Sequence, residues 1–529
     1  MAIDTELTAA PTTPAALIRA AGWWGHREAV ADVQAGQHTR LTWAQLLEEV
    51  RTFAAALVSR GIHSGDRIAL WAPNTHHWIV AALGVHYAGA ILIPVNTRYT
   101  GAEALDLVQR SHAKALVVAG TFLQTERLVQ LRDAAGDLAR NTELHTLVRV
   151  PLDVGDAAER TVLEWNDFRA LATDHLRREA DARAAALTGD DIADILFTSG
   201  TTGRSKGVLA THAQGLTVGR IWGATGDMSE RDRYLIVSPF FHSYGYKAGI
   251  LVCLVHGAAM IPLAVYSPVA AMQLIQDERA SVCPGAPTIF QTILDHPRRT
   301  EFDLASLRFA TTGAAIVPVV LMERMQRELS FDIVVTAYGL TETSGFVSTC
   351  VAGDDDATVA NTCGRAIEGM EMTLSEQGEV LVRGPLVMQG YLDDPESTAK
   401  TINADGWLHT GDIGEIDERG YLKITDRLKD MYISGGFNVY PAEIEQTLAR
   451  LDGVAESAVI GVPDQRMGEV GQAFVRRRPG AELREDDVLT YCTEKLAKFK
   501  APRSVVFVEE FPRNAAGKIL KRDLRNGRT

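Results

Sequence analysis

The sequence predicts an α/β protein of two or three domains, and three observations carry that expectation. At 529 residues the chain is too long to fold around one core. Helical periodicity alternates along it with short β-branched runs, the pattern of layered α/β architecture. And at 195–211 a hydrophobic strand runs straight into a turn packed with hydroxyls and glycines and holding one lysine, Lys206.

The elements follow in order. Residues 42–60 read as an amphipathic helix, 67–71 as a strand, 78–88 as a helix, and 91–95 and 115–118 as strands, with no sequence repeat. A polar Ala/Arg/Asp-rich stretch over 171–190 reads as a surface helix and linker. Residues 248–266 are the one membrane suspect, but His256, Gly257 and Pro262 interrupt them and they are barely long enough to span. They read instead as a buried helix, a break at Gly257 and a strand through Met260 and Ile261. After Asp412 the texture changes: 420–424 reads as a strand and Asp426-Arg427-Leu428-Lys429-Asp430 as a charged joint. Further β and α signals then follow at 458–462, 472–475, 488–496 and 504–508. The expected division is 1–427, a hinge at 428–430, and 431–529.

Composition narrows the function. Apolar content of 46% and charged content of 23% are ordinary for a soluble globular protein. A formal net charge of −14 disfavours wholesale binding to nucleic acid or anionic membrane. Cys253, Cys283, Cys350, Cys363 and Cys492 are odd in number and scattered, with no zinc-ligand spacing, which points to a reducing cytoplasm. The acidic start, residues 1–7, lacks the pattern of a secretion signal and reads as a loose arm.

The turn at 198–207 has the chemistry of a phosphate cradle. Glycines Gly200 and Gly203 let backbone N–H groups approach oxygens, the hydroxyls of Thr198, Ser199, Thr201 and Thr202 add donors, and Lys206 supplies a point charge. A P-loop needs Gly-x4-Gly-Lys-Ser/Thr, whereas Lys206 stands between Ser205 and Gly207. A generic hydroxyl-rich surface loop is the bland alternative.

Six further segments follow in order: Pro239-Phe240-Phe241-His242, Thr311-Thr312-Gly313-Ala314-Ala315, Tyr338-Gly339-Leu340-Thr341-Glu342-Thr343, Leu408-His409-Thr410-Gly411-Asp412, the joint through Ser434-Gly435-Gly436-Phe437, and Pro512-Arg513-Asn514-Ala515-Ala516-Gly517-Lys518. With them the chain resembles, over nearly its whole length, the adenylate-forming superfamily of acyl-CoA synthetases, nonribosomal adenylation domains and luciferases. The resemblance implies a large multi-subdomain N-terminal α/β adenylation domain and a small mobile C-terminal α+β domain.

Each segment has a chemical reading beside a bland one. Glu342, in an otherwise uncharged turn that could be solvated surface, is a hard oxygen ligand suited to Mg²⁺ on ATP phosphates, with Thr341 and Thr198 beside it. Asp412 can accept both ribose hydroxyls and Arg427 can add a donor, although an Asp can also close its own turn. Gly313, Ala314 and Ala315 suit a flat adenine with Tyr338 and Gly339 on its other side, and a tight core turn would look much the same. His242, in an aromatic setting where a core histidine is the ordinary finding, is implied to gate or position between the acyl pocket and the pantetheine tunnel. Lys518, by default a solvated lysine, is implied to bridge the acyl carboxylate and the α-phosphate and so to be the principal catalytic residue.

The implied reaction has two halves. A carboxylic acid displaces pyrophosphate from MgATP, and the small domain then rotates about Lys429, removing Lys518 and bringing Gly435 and Gly436 to line a channel for coenzyme A, whose thiol displaces AMP. Phe499 is implied to stack on the CoA adenine, and Arg503 and Arg98 to meet its phosphates, though Ala501 stands where some members carry a basic residue. The acyl pocket is expected around His242, Tyr244, Gly245, Gly285 and Gly313, where small residues permit a broad acid. Runs such as Phe240-Phe241-His242 and Tyr246-Lys247-Ala248-Gly249 look like those of bacterial acyl-CoA ligases of steroid and cholesterol breakdown, which implies a polycyclic propanoate of the C/D-ring indanedione type. A medium-chain or aryl acid is the alternative. An enzyme loading a carrier protein in trans and an inactive binding homologue are the readings of other classes. The expected partners are thus small molecules, with no nucleic acid and no integral membrane segment. A protein lysine acetyltransferase acting on Lys518 is a further expectation, and the oligomeric state stays open, a homodimer included.

Overall fold

The computed structural model describes residues 11–34, 38–152, 162–198, 205–313, 319–427, 430–434, 437–496, 498–513 and 519–527. Among the expected site residues, Ser199, Gly200, Thr201, Thr202, Gly203, Ala314, Ala315, Lys429, Gly435, Gly436 and Lys518 lie outside them, as does the side chain of Arg427.

The central layer is an eight-stranded sheet. Six of its strands run parallel, in the order Ile192–Phe197, Ile91–Pro94, Arg67–Trp71, Ala115–Ala119, Thr146–Val150 and Val162–Glu164. Gly207–Thr211 and then Gly390–Tyr391 extend it antiparallel beyond Ile192–Phe197. The parallel strands are buried nearly throughout, because helices cover both faces and leave apolar runs without polar alternation. The helix His76–Tyr87 is apolar all round and accordingly buried from His77 onward. Trp43–Ser59 starts on a capping box in which Thr42 Oγ1 accepts from the Gln45 N–H while Gln45 Oε1 accepts from the Thr42 N–H. Thr211 and Gln214 build the same device for His212–Thr225.

A second layer joins Arg233–Ile236, Ala259–Pro262 and Glu28–Asp32 to the strands Phe309–Gly313 and Ile333–Tyr338, through bridges at Val282. The membrane suspect resolves as read, with one addition. The helical part opens with a π-turn, Tyr246–Leu251, before Val252–His256; Gly257 takes a left-handed φ of 74° under the ring of Trp24, and a buried strand, Ala259–Pro262, follows. Among the described residues no helix is long and apolar enough to cross a membrane. All five cysteines are free.

Glu371–Leu374, Glu379–Arg383, Leu408–Ile416 and Leu422–Arg427 form an antiparallel meander. Its last strand reaches Arg427, so the charged run at 426–430 begins inside a strand and not as a free joint. The C-terminal part has its own mixed sheet, led by the long hairpin Val454–Asp464 and Gly468–Arg477 with Ser504–Phe507 parallel to the latter. Its core includes Tyr432, Ile444, Val459, Val475 and Val488.

Candidate functional site

The cradle sits where two strands end. Ile192–Phe197 and Gly207–Thr211 pair up to Phe197 opposite Gly207, and Thr198 N–H donates to Lys206 O at 2.9 Å, so the intervening loop is pinched closed at its base. Arg110 anchors one flank by donating to Ser205 O at 2.7 Å. Lys206 Nζ lies 4.7 Å from the ring centre of Tyr391, on the neighbouring strand. The Tyr391 hydroxyl in turn donates to Glu342 Oε1 at 2.9 Å. Burial and the Glu342 charge push the Tyr391 phenol up, which keeps it a donor. Lys206 and Glu342, far apart in sequence, are therefore gathered by a tyrosine that sequence reasoning missed.

Glu342 stands in the short turn Thr341–Thr343 after the strand Ile333–Tyr338. The turn closes tightly: a Cβ on Gly339 would come within 2.2 Å of Gly345 O, so only glycine fits there. Met388 N–H donates to Glu342 O at 2.8 Å and pins the same residue from the other side.

Asp412 is 3% exposed, and its Oδ2 accepts from the Tyr338 hydroxyl at 2.6 Å. The expected adenine-side ring and the expected ribose carboxylate are thereby joined. In the meander Asp412 lies opposite Arg427. Its turn is held by Glu379, a second residue the sequence did not flag. Glu379 Oε1 accepts from Gly411 N–H at 2.9 Å, Gly411 having a left-handed φ of 70°, and Oε2 pairs with His409 Nδ1 at 2.9 Å. Thr410 Oγ1 donates to Val380 O and accepts from Asp412 N–H. A cleft of about 210 Å³ opens over these groups, lined among others by Glu342, Glu379, Tyr391, Lys400 and His409.

On the acid side, His242 caps the turn Ser243–Gly245, its Nδ1 accepting from Tyr244 N–H at 3.2 Å. Burial holds the ring below the usual histidine range, so it is neutral with its proton on Nε2. Thr311 O accepts from the Tyr244 hydroxyl at 2.8 Å and from Gly285 N–H at 3.1 Å, which brings 244, 285 and the strand Phe309–Gly313 together. Two of the small residues here are required by packing. A Cβ on Gly245 would lie 2.2 Å from Pro239 O, one on Gly313 2.8 Å from Ala337 O, and one on Gly285 3.2 Å from Ile289. Close backbone packing requires the first two, so their smallness does not in itself widen a pocket. The two sides touch where Ser243 Oγ lies 3.0 Å from the position a Cβ on Gly345 would take.

The CoA residues are dispersed. Phe499 packs against the C-terminal core, with Lys500 Nζ 5.8 Å from its ring centre. Arg503 donates its N–H to Gly471 O and Arg98 its own to Asn96 Oδ1, and both are exposed.

Residues 18–392 match the AMP-binding enzyme family and residues 443–518 the C-terminal domain of AMP-binding enzymes, the second match ending on Lys518. A 3-[(3aS,4S,7aS)-7a-methyl-1,5-dioxo-octahydro-1H-inden-4-yl]propanoyl:CoA ligase of Rhodococcus jostii is 60% identical over 97% of this chain and 98% of its own. A ligase of the same name from Mycobacterium tuberculosis is 56% identical over 92% and 94%. Among solved structures, ATP-bound MatB from Rhodopseudomonas palustris superposes with a TM-score of 0.80 at 29% identity, covering 98% of this chain and 99% of that one. The anthranilate CoA ligase AuaEII, at 24% identity and a TM-score of 0.86, shares the fold over 98% of this chain and 97% of its own. Two family matches in order, relatives aligned nearly end to end and the gathering of Lys206, Tyr391, Glu342, Tyr338 and Asp412 lead to one conclusion: the chain belongs to the AMP-binding, adenylate-forming enzyme family, and is an acyl-CoA ligase of it.

Proposed function

We propose that this ligase activates 3-(7a-methyl-1,5-dioxo-octahydro-inden-4-yl)propanoate, a steroid-derived acid, and transfers it to coenzyme A in the cytoplasm. The observation that carries the reading is the 60% identity, along 97% of the chain, to a ligase named for that acyl group.

In this reading Lys206, Thr198 and the loop to Gly203 hold the ATP phosphates, Tyr338 and Gly313 flank the adenine, and Asp412 with Arg427 takes the ribose hydroxyls. Glu342 fits a magnesium ion: Tyr391 engages one carboxylate oxygen and leaves the other as a hard ligand. A single protein carboxylate suits an ion that arrives with phosphate and water ligands. When bound, that ion would neutralise charge building on the phosphates.

A carboxylate oxygen of the acid attacks the α-phosphorus, the bond to the β-phosphate oxygen breaks and pyrophosphate leaves. The Lys518 ammonium offsets the charge that develops between carboxylate and α-phosphate. Rotation at 428–430, about Lys429, then turns 431–529 against 1–427, withdraws Lys518 and sets Gly435 and Gly436 along the pantetheine path. The CoA thiol loses its proton to solvent, its sulfur attacks the acyl carbonyl carbon, and AMP departs with the oxygen that joined it to the acid. His242, neutral and capping its turn, positions the acid side without exchanging a proton. Arg98 and Arg503, both exposed, are free to meet CoA phosphates, and Phe499 meets its adenine. Acetylation of Lys518 by a protein acetyltransferase would remove its charge and stop the first half-reaction.

The test is CoA-dependent AMP release across indanedione-propanoate, medium-chain and aryl acids. The highest kcat/KM is expected for the indanedione propanoate. A higher value for an aliphatic or aryl acid would overturn the substrate while leaving the ligase chemistry standing; turnover with a carrier protein and none with CoA would overturn the acceptor.

A further inference from the structure

One strand that leads to the cradle carries half of a buried ion pair that the chemistry above does not use. Lys247 Nζ and Asp194 Oδ1 are 3.1 Å apart, and both side chains are 1% exposed. Neither atom makes an aligned hydrogen bond to anything. Burial pushes the Asp194 carboxyl up, against the pull of Lys247. A buried ion pair whose facing atoms, Asp194 Oδ1 and Lys247 Nζ, lack other partners contributes little or nothing to stability over an apolar pair of the same volume. A reason other than stability is therefore needed.

Position supplies one. Asp194 stands in the strand Ile192–Phe197, which delivers Thr198 to the mouth of the cradle. Lys247 stands in the π-turn Tyr246–Leu251, which continues directly from His242 and Tyr244 on the acid side. The same turn is fixed by polar contacts on its other faces: the Tyr246 hydroxyl meets His86 Nε2 at 2.6 Å, and Tyr234 donates to Ala248 O at 2.7 Å. A widened turn of this kind is uncommon and gathers at functional sites. The pair thus ties the element that presents the acid to the element that presents the phosphates, although each arrives from a different part of the chain.

We propose that Lys247 and Asp194 are positioning residues for adenylate formation: their buried contact sets the acid-side turn, His242 to Tyr246, relative to the phosphate strand, so that the carboxylate oxygen meets the α-phosphorus in line. This rests on the acyl-adenylate reading above. Neither residue touches substrate; each acts through the backbone that carries the residues that do.

The test separates placement from stability with the double variant Lys247→Met/Asp194→Leu, which removes both charges at similar volume. It is assayed by acid-dependent ATP–pyrophosphate exchange, using an acid that the parent enzyme accepts, and by thermal unfolding. The expected Tm is at or above that of the parent. The exchange kcat is expected to fall by roughly tenfold or more, with KM for ATP and for the acid within about twofold, because misplacement costs the near-attack geometry and not binding. Parent-level kcat in the double variant would overturn the proposal, and so would a KM for ATP raised as much as kcat is lowered, which would mean a damaged nucleotide site. Should the double variant not fold, Asp194→Asn, which keeps shape and removes charge, is read by the kinetic criteria alone, because the Lys247 ammonium it leaves unpaired lowers the Tm. A parent enzyme that exchanges pyrophosphate with no acid at all would fail the adenylate reading itself, an outcome visible before any variant is made.

Discussion

The two walls of the site are built by opposite means. On the nucleotide side, short polar contacts join side chains from separate motifs: Tyr338 to Asp412, Tyr391 to Glu342, Lys206 over the Tyr391 ring. On the acid side the polar contacts run mostly from a side chain to backbone, as from the Tyr244 hydroxyl to Thr311 O and from Tyr234 to Ala248 O. There, glycines admit backbone against backbone, as at Gly245 under Pro239 O, and a buried ion pair lies behind the wall. In the proposed function the nucleotide side is thus a constellation of groups whose chemistry is the same whatever the acid, whereas the acid side is a packed surface whose shape would decide which acid enters. Substitutions on the first should change rates and nucleotide binding at constant stability; those on the second should change stability or placement first.

The largest expected effect is that of Lys518→Ala. If Lys518 meets the charge that develops between carboxylate and α-phosphate, as proposed, its removal lowers acyl-adenylate formation by about 10² to 10³ or more. Thioester formation from supplied acyl-adenylate stays near the parental rate, measured in single turnover with CoA; equal loss in both half-reactions would place the lysine in the fold and not in the chemistry. Gly245→Ala breaks the acid side by packing. Its Cβ would lie 2.2 Å from Pro239 O, and overpacking of this kind costs about 1–3 kcal/mol. A lowered denaturant midpoint at unchanged slope is expected, with KM for ATP in the surviving enzyme little altered.

Glu379→Ala sharpens the comparison from the nucleotide side. It leaves Gly411 N–H and His409 without their acceptor, a loss of about 1–2 kcal/mol in the placement of Asp412. The expected reading is a KM for ATP raised by roughly tenfold with Glu379→Gln recovering most of it. Tyr391→Phe is the smallest change. It deletes the hydrogen bond to Glu342 and keeps the ring beneath Lys206, so KM for ATP should rise only about fivefold. An effect as large as that of Lys518→Ala would mean that the hydroxyl touches substrate.

The same contrast governs what could be read from sequence. Glu342 was legible as a candidate because it is the one charge in its turn, Lys206 and Asp412 because each charge stands among hydroxyls and glycines, and Tyr338 only through the family resemblance. Tyr391 was not, since only the pairing of Gly390–Tyr391 with Gly207–Thr211 brings it beside the cradle. Glu379 follows Gly378 and looks like an ordinary surface turn until the meander folds it onto Gly411. The glycines of the acid side were visible, but their cause was not, because an absent Cβ has the same signature whether it faces a ligand or a carbonyl. Lys247 and Asp194 did carry a signal: each is the lone charge in an otherwise apolar buried run, and their signs are opposite. The alternation of helices and strands was readable because parallel strands and covering helices leave distinct periods. Where the last meander strand ends was not, since Asp426 and Arg427 are as charged as the joint that follows them.

In the proposed reaction the acid's own carboxylate oxygen attacks the α-phosphorus of ATP. Turnover with acid labelled in both carboxylate oxygens with ¹⁸O, in unlabelled water with ATP and CoA, tests it most directly by mass spectrometry of the released nucleotide. One labelled oxygen per AMP is predicted, with the other retained in the acyl-CoA carbonyl and none in pyrophosphate. Unlabelled AMP, or ADP as the nucleotide product, would contradict it.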